Sequence, residues 1–374
     1  AEIANLTRNL VFTGTSAALG FRFNLTGTLG IGAGSVEMYN TEFRFFNTTS
    51  VTATGCDLKF SGSSISRTNS FLTYSSLKNF DLINSVVFLT VYAMSTNTAN
   101  AVNISGSALF QTATSYSSMQ LSTPTKTISI SDSSFIGGNG VAIYTGVVSN
   151  AIFSCALSNI ISHGASAASS SPALLISALT GNYFSDQSNT TVSDSYFYQS
   201  YYGVQINSPS VKLSNILVEG NSTAGIYVQR GQELLCSNAT LQSQTGFPQP
   251  IGVTGAGSGN AKNVFFQNCT FGSATQKHTS YDVSVGGTAY PYNFVFRNCT
   301  FTADASKTPI NISTSLGVQN SIAFYKYNGV ANNNFVFLNY GRSEQDFVYN
   351  VFGAGQGQRL SPSNPVYPMT TQYK

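Results

Sequence analysis

Three segments of this chain are nearly alike, and their recurrence restricts the fold more than any other feature. They read NVFFQNCTFGS from Asn263, NFVFRNCTFTA from Asn293 and NNFVFLNYGRS from Asn333, and each carries an asparagine at one fixed position of a β-forming run. Self-similarity at a spacing of roughly 20 to 50 residues is typical of solenoids, whose repeats stack because none buries its apolar side alone. The sequence therefore predicts a stack of repeated β units.

The repeated asparagine position can be followed upstream through weaker copies. An asparagine adopts left-handed backbone angles at little cost, and amide side chains stacked in successive repeats hydrogen-bond to each other. We therefore expect a bend in every repeat and a ladder of side chains that fixes the register. The predicted ladder residues are Asp132, Asn159, Asp194, Asn215, Asn238, Asn268, Asn298 and Asn339.

These strand–bend–strand units resemble the turns of the right-handed parallel β-helix, the pectin-lyase-like superfamily. The resemblance implies an all-β solenoid over residues 35–352 with loop insertions, about a dozen coils and a rod on the order of 60 Å long. Residues 1–34 are predicted to be an N-terminal β segment that caps the stack or offers an edge for assembly. The proline-rich residues 353–374 are predicted to form an extended tail that lies either on its own rod or on an adjacent subunit.

Charge and hydropathy exclude two classes of partner. Only 8% of the residues are charged, and the 17 basic residues are scattered singly, so no basic run is present that follows a phosphate backbone. The longest apolar run is about half of the roughly 20 residues that cross a bilayer. Neither a nucleic-acid partner nor a membrane span is predicted. Because the chain opens at Ala1 without a start methionine, it reads as a processed, secreted protein.

Several Asn-x-Ser/Thr sequons are consistent with the prediction of a secreted protein. Those within the repeat, such as Asn268 and Asn298, are expected to be buried ladder residues. Others are expected to be exposed and to carry covalent N-glycans. The predicted glycan acceptors are Asn5, Asn24, Asn47, Asn189 and Asn221.

The five cysteines contain no C-x-x-C pair, which argues against a zinc or redox motif. Cys269 and Cys299 occupy the same register of consecutive repeats, and stacked strands bring α-carbons within disulfide range. A disulfide bond between Cys269 and Cys299 is one alternative. The other is a pair of small buried side chains in a stack.

Because members of the resembled superfamily are often polysaccharide lyases or hydrolases, the resemblance makes acidic groups the first candidates for catalysis. Asp132 with Asp194 is the obvious carboxylate pair, but both stand at the bend position, which accounts for them without catalysis. Glu344 and Asp346 lie near Arg342, a group expected to be a solvated charge cluster. His163 and His278 are expected to be solvated loop histidines. No catalytic, metal or cofactor site is predicted.

Tyrosines cluster in SYFYQSYYG, at Tyr196, Tyr198, Tyr201 and Tyr202, and suit contact with sugars or partner proteins, although strand alternation is expected to bury about half of them. The leading interpretation is an extracellular structural or adhesive glycoprotein that polymerises with itself, head to tail, into a surface filament or layer. The alternative is a polysaccharide-binding or polysaccharide-cleaving protein resembling viral tailspikes.

Overall fold

The structure is a computed structural model, and it describes most of the chain between residues 2 and 329. The described ranges are 2–3, 9–13, 22–25, 29–31, 34–45, 50–68, 70–71, 77–90, 94–97, 100–112, 117–122, 127–138, 140–144, 154–164, 172–177, 189–208, 210–220, 223–230, 233–242, 249–255, 263–272, 283–287, 293–301, 310–314, 321–325 and 328–329.

Each turn of the chain, called here a coil, contributes one strand to each of three faces. The strands of the first face precede the predicted bend and are Asn9–Thr13, Gly34–Tyr39, Cys56–Ser61, Asn79–Ile83, Ala101–Ser105, the first halves of Thr127–Gly137 and Ser154–His163, Asn189–Ser193, Ser210–Ser214, Glu233–Ser237, Asn263–Gln267, Asn293–Arg297 and Ser321–Tyr325.

The second face follows the bend. Its strands are Arg22–Leu25, Glu42–Phe45, Ser64–Thr68, Val86–Leu89, Ala108–Gln111, the second halves of Thr127–Gly137 and Ser154–His163, Tyr196–Tyr198, Leu217–Glu219, Thr240–Leu241, Thr270–Phe271, Thr300–Phe301 and Asn328–Gly329.

The third face completes each coil. Its strands are Glu2–Ile3, Leu29–Ile31, Ser50–Ala53, Ser70–Phe71, Met94–Asn97, Met119–Ser122, Val141–Tyr144, Pro172–Ser177, Tyr202–Asn207, Ala224–Arg230, Gln249–Gly255, Val283–Gly287 and Ile310–Thr314.

All pairings between coils are parallel among the described strands. The first and second faces form one 24-stranded sheet that continues through the bend, and the third face forms sheets of nine and four strands. Residues of like position stand opposite each other, as Asn263 does with Asn293. The predicted all-β parallel solenoid is therefore confirmed, and its architecture is that of a β-helix.

The unit Ser210–Glu219 shows why the sequence folds this way. Val211 and Leu213 are buried while Lys212 between them is exposed, because successive side chains of a strand point to opposite sides. Asn215 then turns the chain with a φ of 52°. Its backbone N–H donates to Ser237 O at 3.0 Å in the next coil, so the bend does not interrupt the inter-coil hydrogen bonding.

The core is a column of inward side chains that stack coil on coil. Phe266 and Phe296 lie face to face with ring centroids 5.4 Å apart, and Phe271 meets both edge-on. Burying a phenylalanine side chain contributes about 1.5–3 kcal/mol, so the repeated column carries much of the stability.

The ends of the chain differ in how far they are described. The segment 1–34 contributes four strands to the stack, in parallel register with the following coils. Residues 330–374 lie outside the described residues, and this includes the predicted tail, Asn339, Arg342, Glu344 and Asp346. His278 is also outside them. No helix in the described part of the chain is long and apolar enough to cross a membrane.

Candidate functional site

The bend between the first and second faces holds the predicted ladder residues. Asp132, Asn159, Asp194, Asn215, Asn238, Asn268 and Asn298 all have a positive φ, between 50° and 54°. Only glycine, asparagine and aspartate adopt this conformation routinely. The residue type at the bend is thus set by the backbone.

The side chains of this column form hydrogen bonds from coil to coil, always with the later residue donating to the earlier one. The Nδ2–Oδ1 distances are 2.8 Å for Asn298 to Asn268, 3.2 Å for Asn268 to Asn238, 3.0 Å for Asn238 to Asn215, 3.0 Å for Asn215 to Asp194 and 2.7 Å for Asn159 to Asp132. The expectation that the sequon-bearing ladder residues Asn268 and Asn298 are buried is wrong, because both are exposed at the corner.

The two aspartates start ladder segments, because a carboxylate accepts hydrogen bonds and has no N–H to donate. The hydrogen bond from Asn215, and then that from Ser193, lowers the pKa of Asp194, which keeps this exposed carboxylate ionised. Asp132 is two coils away, about 10 Å at the usual strand spacing. Since each carboxylate accepts a bond from an asparagine, a role in the ladder accounts for both.

Four bend residues were missed by sequence reasoning. Asn40, Gly62, Asn84 and Gly106 also have a positive φ. A Cβ added at Gly62 would stand 2.4 Å from Asn40 Oδ1, and one at Gly106 would stand 2.2 Å from Asn84 Oδ1. The signal was available, since the hydroxyl residues that follow the bends recur at intervals of 22 residues.

The residue after each bend points inward and forms a second column. Ser63, Ser85, Ser107, Ser133 and Ser195 each donate a hydroxyl bond to the carbonyl two residues earlier. Several also accept a backbone N–H from a neighbouring coil, as Ser107 does from Ser85 at 3.1 Å. The column therefore satisfies polar groups inside the wall of the coil.

Cys269 and Cys299 occupy this same column near the C-terminal end. Their Sγ atoms contact the carbonyl oxygens of Gln267 at 3.3 Å and Arg297 at 3.5 Å, in the manner of the serine hydroxyls. Both are free, buried thiols, and no disulfide joins them. Of the two sequence alternatives, the structure has the stack of small side chains.

The remaining cysteines are also free and buried. Burial, with a smaller contribution from Asp57, raises the pKa of Cys56 to about 11. Burial alone raises the pKa of Cys155 further. At neutral pH both are protonated, apolar core groups.

Only one predicted glycan acceptor has a described side chain. Asn189 opens a strand of the first face and is exposed. Asn24 lies in the strand Arg22–Leu25, of which only the backbone is described. Asn5, Asn47 and Asn221 lie outside the described residues.

The outer side of the second face carries an unusual row of apolar side chains. Phe88 stands opposite Phe110, which stands opposite Ile136, on three successive coils. Phe88 is 44% exposed and Ile161 is 42% exposed. The rings of Phe88 and Phe110 stack with centroids 5.1 Å apart. We call Val86, Phe88, Ala108, Phe110, Ile136 and Ile161 the outer ridge.

The outer ridge runs into a group of polar and aromatic side chains on the next coils. His163 stands opposite Ile136 on one side and opposite Tyr198 on the other. The His163 and Tyr198 rings lie 4.3 Å apart, and the Tyr198 and Tyr196 rings stack at 4.7 Å. Further polar contacts join His163 to Gln199 and Tyr196 to Glu219. We call His163, Tyr196, Tyr198, Gln199 and Glu219 the polar-aromatic cluster.

The cluster corrects two expectations from the sequence. His163 is the last residue of the strand Ser154–His163 and is half-buried, so it is not a solvated loop histidine. Alternation does not bury half of the tyrosines, because Tyr196, Tyr198, Tyr201 and Tyr202 are all partly exposed while Phe197 fills the core. No group of three or more His, Cys, Asp or Glu suited to a metal was found among the described residues.

One family model agrees with this architecture. Residues 121–273 match a family model described as the right handed beta helix region. The match covers less than half of the chain, and together with the structure it shows the fold: a right-handed parallel β-helix, as the resemblance implied. No curated protein matches the sequence.

Two solved structures are similar in part. One is the periplasmic alginate epimerase AlgG, with 10% identity over 86% of this chain and 77% of that chain, at a TM-score of 0.35. The other is a mutant of the same epimerase, with 9% identity, the same coverage and a TM-score of 0.32. At these values no residue role is transferred to this chain.

Proposed function

We propose that this protein is a secreted structural or adhesive β-helix whose copies associate side by side through the outer ridge, within a surface filament or layer. The observation that carries the proposal is the outer ridge, in which Phe88, Phe110 and Ile136 stand in one outward row and Phe88 and Ile161 are the exposed large apolar side chains. Soluble monomers rarely expose a contiguous apolar patch of this kind unless it has a partner.

The shape of the ridge favours a sheet as the partner. Phe88 and Phe110 cover each other's faces and so present ring edges outward, which leaves a flat apolar strip instead of an open ring face. Flat apolar sheet faces pack on one another at about 10 Å, as in a sandwich core. A second copy of the chain supplies such a face by two-fold symmetry.

The charge balance supports self-association. With 8% charged residues and a net charge of +3, copies repel each other weakly. Head-to-tail stacking, predicted from the sequence, and N-glycosylation remain proposals alongside this lateral contact. A filament that combines both contacts would expose little strand edge.

Sedimentation velocity over a range of concentrations tests the proposal. The full chain is expected to associate, and the double variant Phe88→Ser with Ile161→Ser to weaken association at least tenfold. Phe265→Ser is the matched control, since Phe265 is a partly exposed, outward aromatic residue of the first face. A chain that stays monomeric at all concentrations, or a control as weak as the ridge variant, would overturn the proposal.

A separate deletion tests the tail. Ending the chain at residue 352 is expected to reduce end-to-end fibre length in electron micrographs if residues 353–374 cross to a neighbour. Fibres of unchanged length would show that the tail takes no part in assembly.

A further inference from the structure

We propose that Tyr202 and Tyr227 form a modification site, at which an oxidative carbon–carbon bond between their rings joins two successive coils. Tyr202 opens the third-face strand Tyr202–Asn207, and Tyr227 lies in Ala224–Arg230, the strand that pairs with it in the next coil. Their rings stack with centroids 4.3 Å apart and planes 8° from parallel. The product is a dityrosine, and the proposal does not rest on the lateral contact through the outer ridge.

The hydroxyl groups of the two rings lie at the same end of the stack. Burial raises the pKa of Tyr202, and the neighbouring phenols of Tyr227 and Tyr201, both hydrogen-bonded to it, raise it further. Both phenols of the stacked pair are therefore protonated at neutral pH. Parallel rings whose hydroxyls also hydrogen-bond face each other with the ortho carbons, those next to the hydroxyl-bearing carbon. These carbons carry much of the unpaired electron in a tyrosyl radical, so the atoms that couple are already opposite each other.

The coupling balances with a peroxide as the terminal electron acceptor. A one-electron oxidant takes one electron from each ring, and each hydroxyl releases its proton to solvent, which gives two tyrosyl radicals. One ortho carbon of each ring then forms the new C–C bond. The hydrogen on each joined carbon moves to the oxygen of its own ring and restores the phenol. In sum the pair loses two electrons and two protons, which reduce one hydrogen peroxide to two water molecules.

The pair is accessible and yet held in place. Tyr201, Tyr202 and Tyr227 are all partly exposed, so electrons and protons leave the rings without unfolding of the chain. Ile226 and Val228, on either side of Tyr227, are buried and anchor its strand. Tyr201 packs edge-on against Tyr202, with ring centroids 4.6 Å apart. Groups held in contact before they react lose little further freedom when they are joined.

A second tyrosine stack provides the comparison. Tyr196 and Tyr198 stack with centroids 4.7 Å apart, but they belong to one strand, and the Tyr196 hydroxyl donates to Glu219. Coupling there joins no two coils. A bond between Tyr202 and Tyr227 instead closes a loop across a whole coil, and such a closure restricts the unfolded chain.

Photo-oxidation of the dilute full chain by tris(bipyridine)ruthenium(III), with persulfate as the peroxide, tests the site. Peptide mapping of the monomer fraction is expected to find Tyr202 linked to Tyr227. Dityrosine fluorescence of the monomer is expected to fall about threefold or more in Tyr227→Phe and to change by less than about twofold in Tyr196→Phe, the matched control. Both substitutions keep the aromatic ring and its packing.

The same oxidation in urea above the unfolding transition tests whether the native stack directs the coupling. The yield of the Tyr202–Tyr227 linked peptide is expected to fall about tenfold or more, because the rings are no longer held together. Three results would overturn the site: the linked peptide is missing from the native monomer, its yield is unchanged in urea, or Tyr196→Phe lowers the fluorescence as much as Tyr227→Phe. If Tyr227→Phe does not fold, Tyr202→Phe replaces it.

Discussion

Asn298 Nδ2 donates a hydrogen bond of 2.8 Å to Asn268 Oδ1, although 30 residues separate them in the chain. Asn268 in turn donates to Asn238 at 3.2 Å. Each ladder amide inside the segment therefore acts as donor and acceptor at once.

Replacing a ladder asparagine should destabilise the fold through two separable effects. Asn268→Gly removes the two side-chain bonds at about 0.5–1.5 kcal/mol each. Asn268→Ala removes the same bonds and also forces an alanine to a φ of 54°, at a further cost of about 1–2 kcal/mol. Urea unfolding should rank the natural chain above the glycine variant and the glycine variant above the alanine variant. Equal stability of the two variants would show that the backbone at this bend is not under constraint.

Joining the two ladder segments should stabilise the protein. Asp194→Asn supplies an N–H for Asn159 Oδ1 in the preceding coil while it still accepts from Asn215. The melting midpoint is expected to rise by a small amount, on the order of 1 °C. Asp132→Asn is the matched control, because the bend below it is Gly106, which has no side-chain acceptor. An equal rise in both variants would point to loss of charge instead of a new bond.

Acid should destabilise the fold of the natural chain by protonating Asp194. The pKa of this group is lower in the folded state than in the unfolded state, so its contribution is present above the unfolded value of about 3.9 and is lost as the pH falls through the folded value. Thermal melting between pH 5 and 2 should show a smaller acid dependence for Asp194→Asn than for the natural chain. The same slope in both proteins would contradict the assignment.

Sequons whose asparagine belongs to the ladder should stay unglycosylated, whereas an exposed sequon outside it should be glycosylated. Asn189 is exposed at the start of a strand and is expected to be glycosylated when the chain is made in a secretory pathway. Asn238, Asn268 and Asn298 also stand in sequons, but each of their amides donates a hydrogen bond within the ladder. The inter-coil spacing of about 4.8 Å leaves no room for sugars on adjacent coils. Glycopeptide mass spectrometry should find Asn189 occupied and these three unoccupied. Full occupancy at Asn268 would show that the ladder does not protect it.

Cys56 and Cys155 should behave as buried protonated groups, because burial raises the pKa of both thiols. Because burial raises the pKa of Cys56 to about 11, the folded state keeps its proton longer than the unfolded state does. Its contribution to stability is thus complete below about pH 8.5 and is lost as the pH rises toward 11. In native protein at pH 8, Cys56 and Cys155 should react with iodoacetamide only as fast as the protein unfolds. Fast reaction at Cys56 or Cys155, identified by peptide mapping, would contradict the buried placement.

Substitution by serine should distinguish a cysteine of the serine column from a cysteine of the apolar core. Cys269→Ser should cost less than about 1 kcal/mol, because the Gln267 carbonyl that contacts Sγ also accepts a hydroxyl. Cys155→Ser should cost about 1–3 kcal/mol, since burial is the one cause found for its pKa shift and no hydrogen bond contributes. Urea unfolding of the two variants measures the difference directly.

Some bends of the coil could be predicted from the sequence, and others could not. The bends at Asn215, Asn268 and Asn298 stood out because asparagine recurs beside similar strands. Gly62 and Gly106 did not, because glycine fits a positive φ as well as asparagine does but carries no side chain for a ladder. Their one sequence signal is the 22-residue spacing of the serines that follow them.

What the sequence alone determined was the unit and its stacking, because the alternation of strands and the backbone demand of the bend are local properties. Only the tertiary structure decided which side chains face solvent. In Val86–Leu89 all four residues are apolar, so alternation defines two sets of side chains without saying which set faces water. Val87 and Leu89 are buried and Phe88 is exposed because the bend at Asn84 fixes the orientation of the strand that follows it. His163, Tyr198 and Glu219 likewise meet only because parallel register brings residues 21 to 35 positions apart onto neighbouring coils.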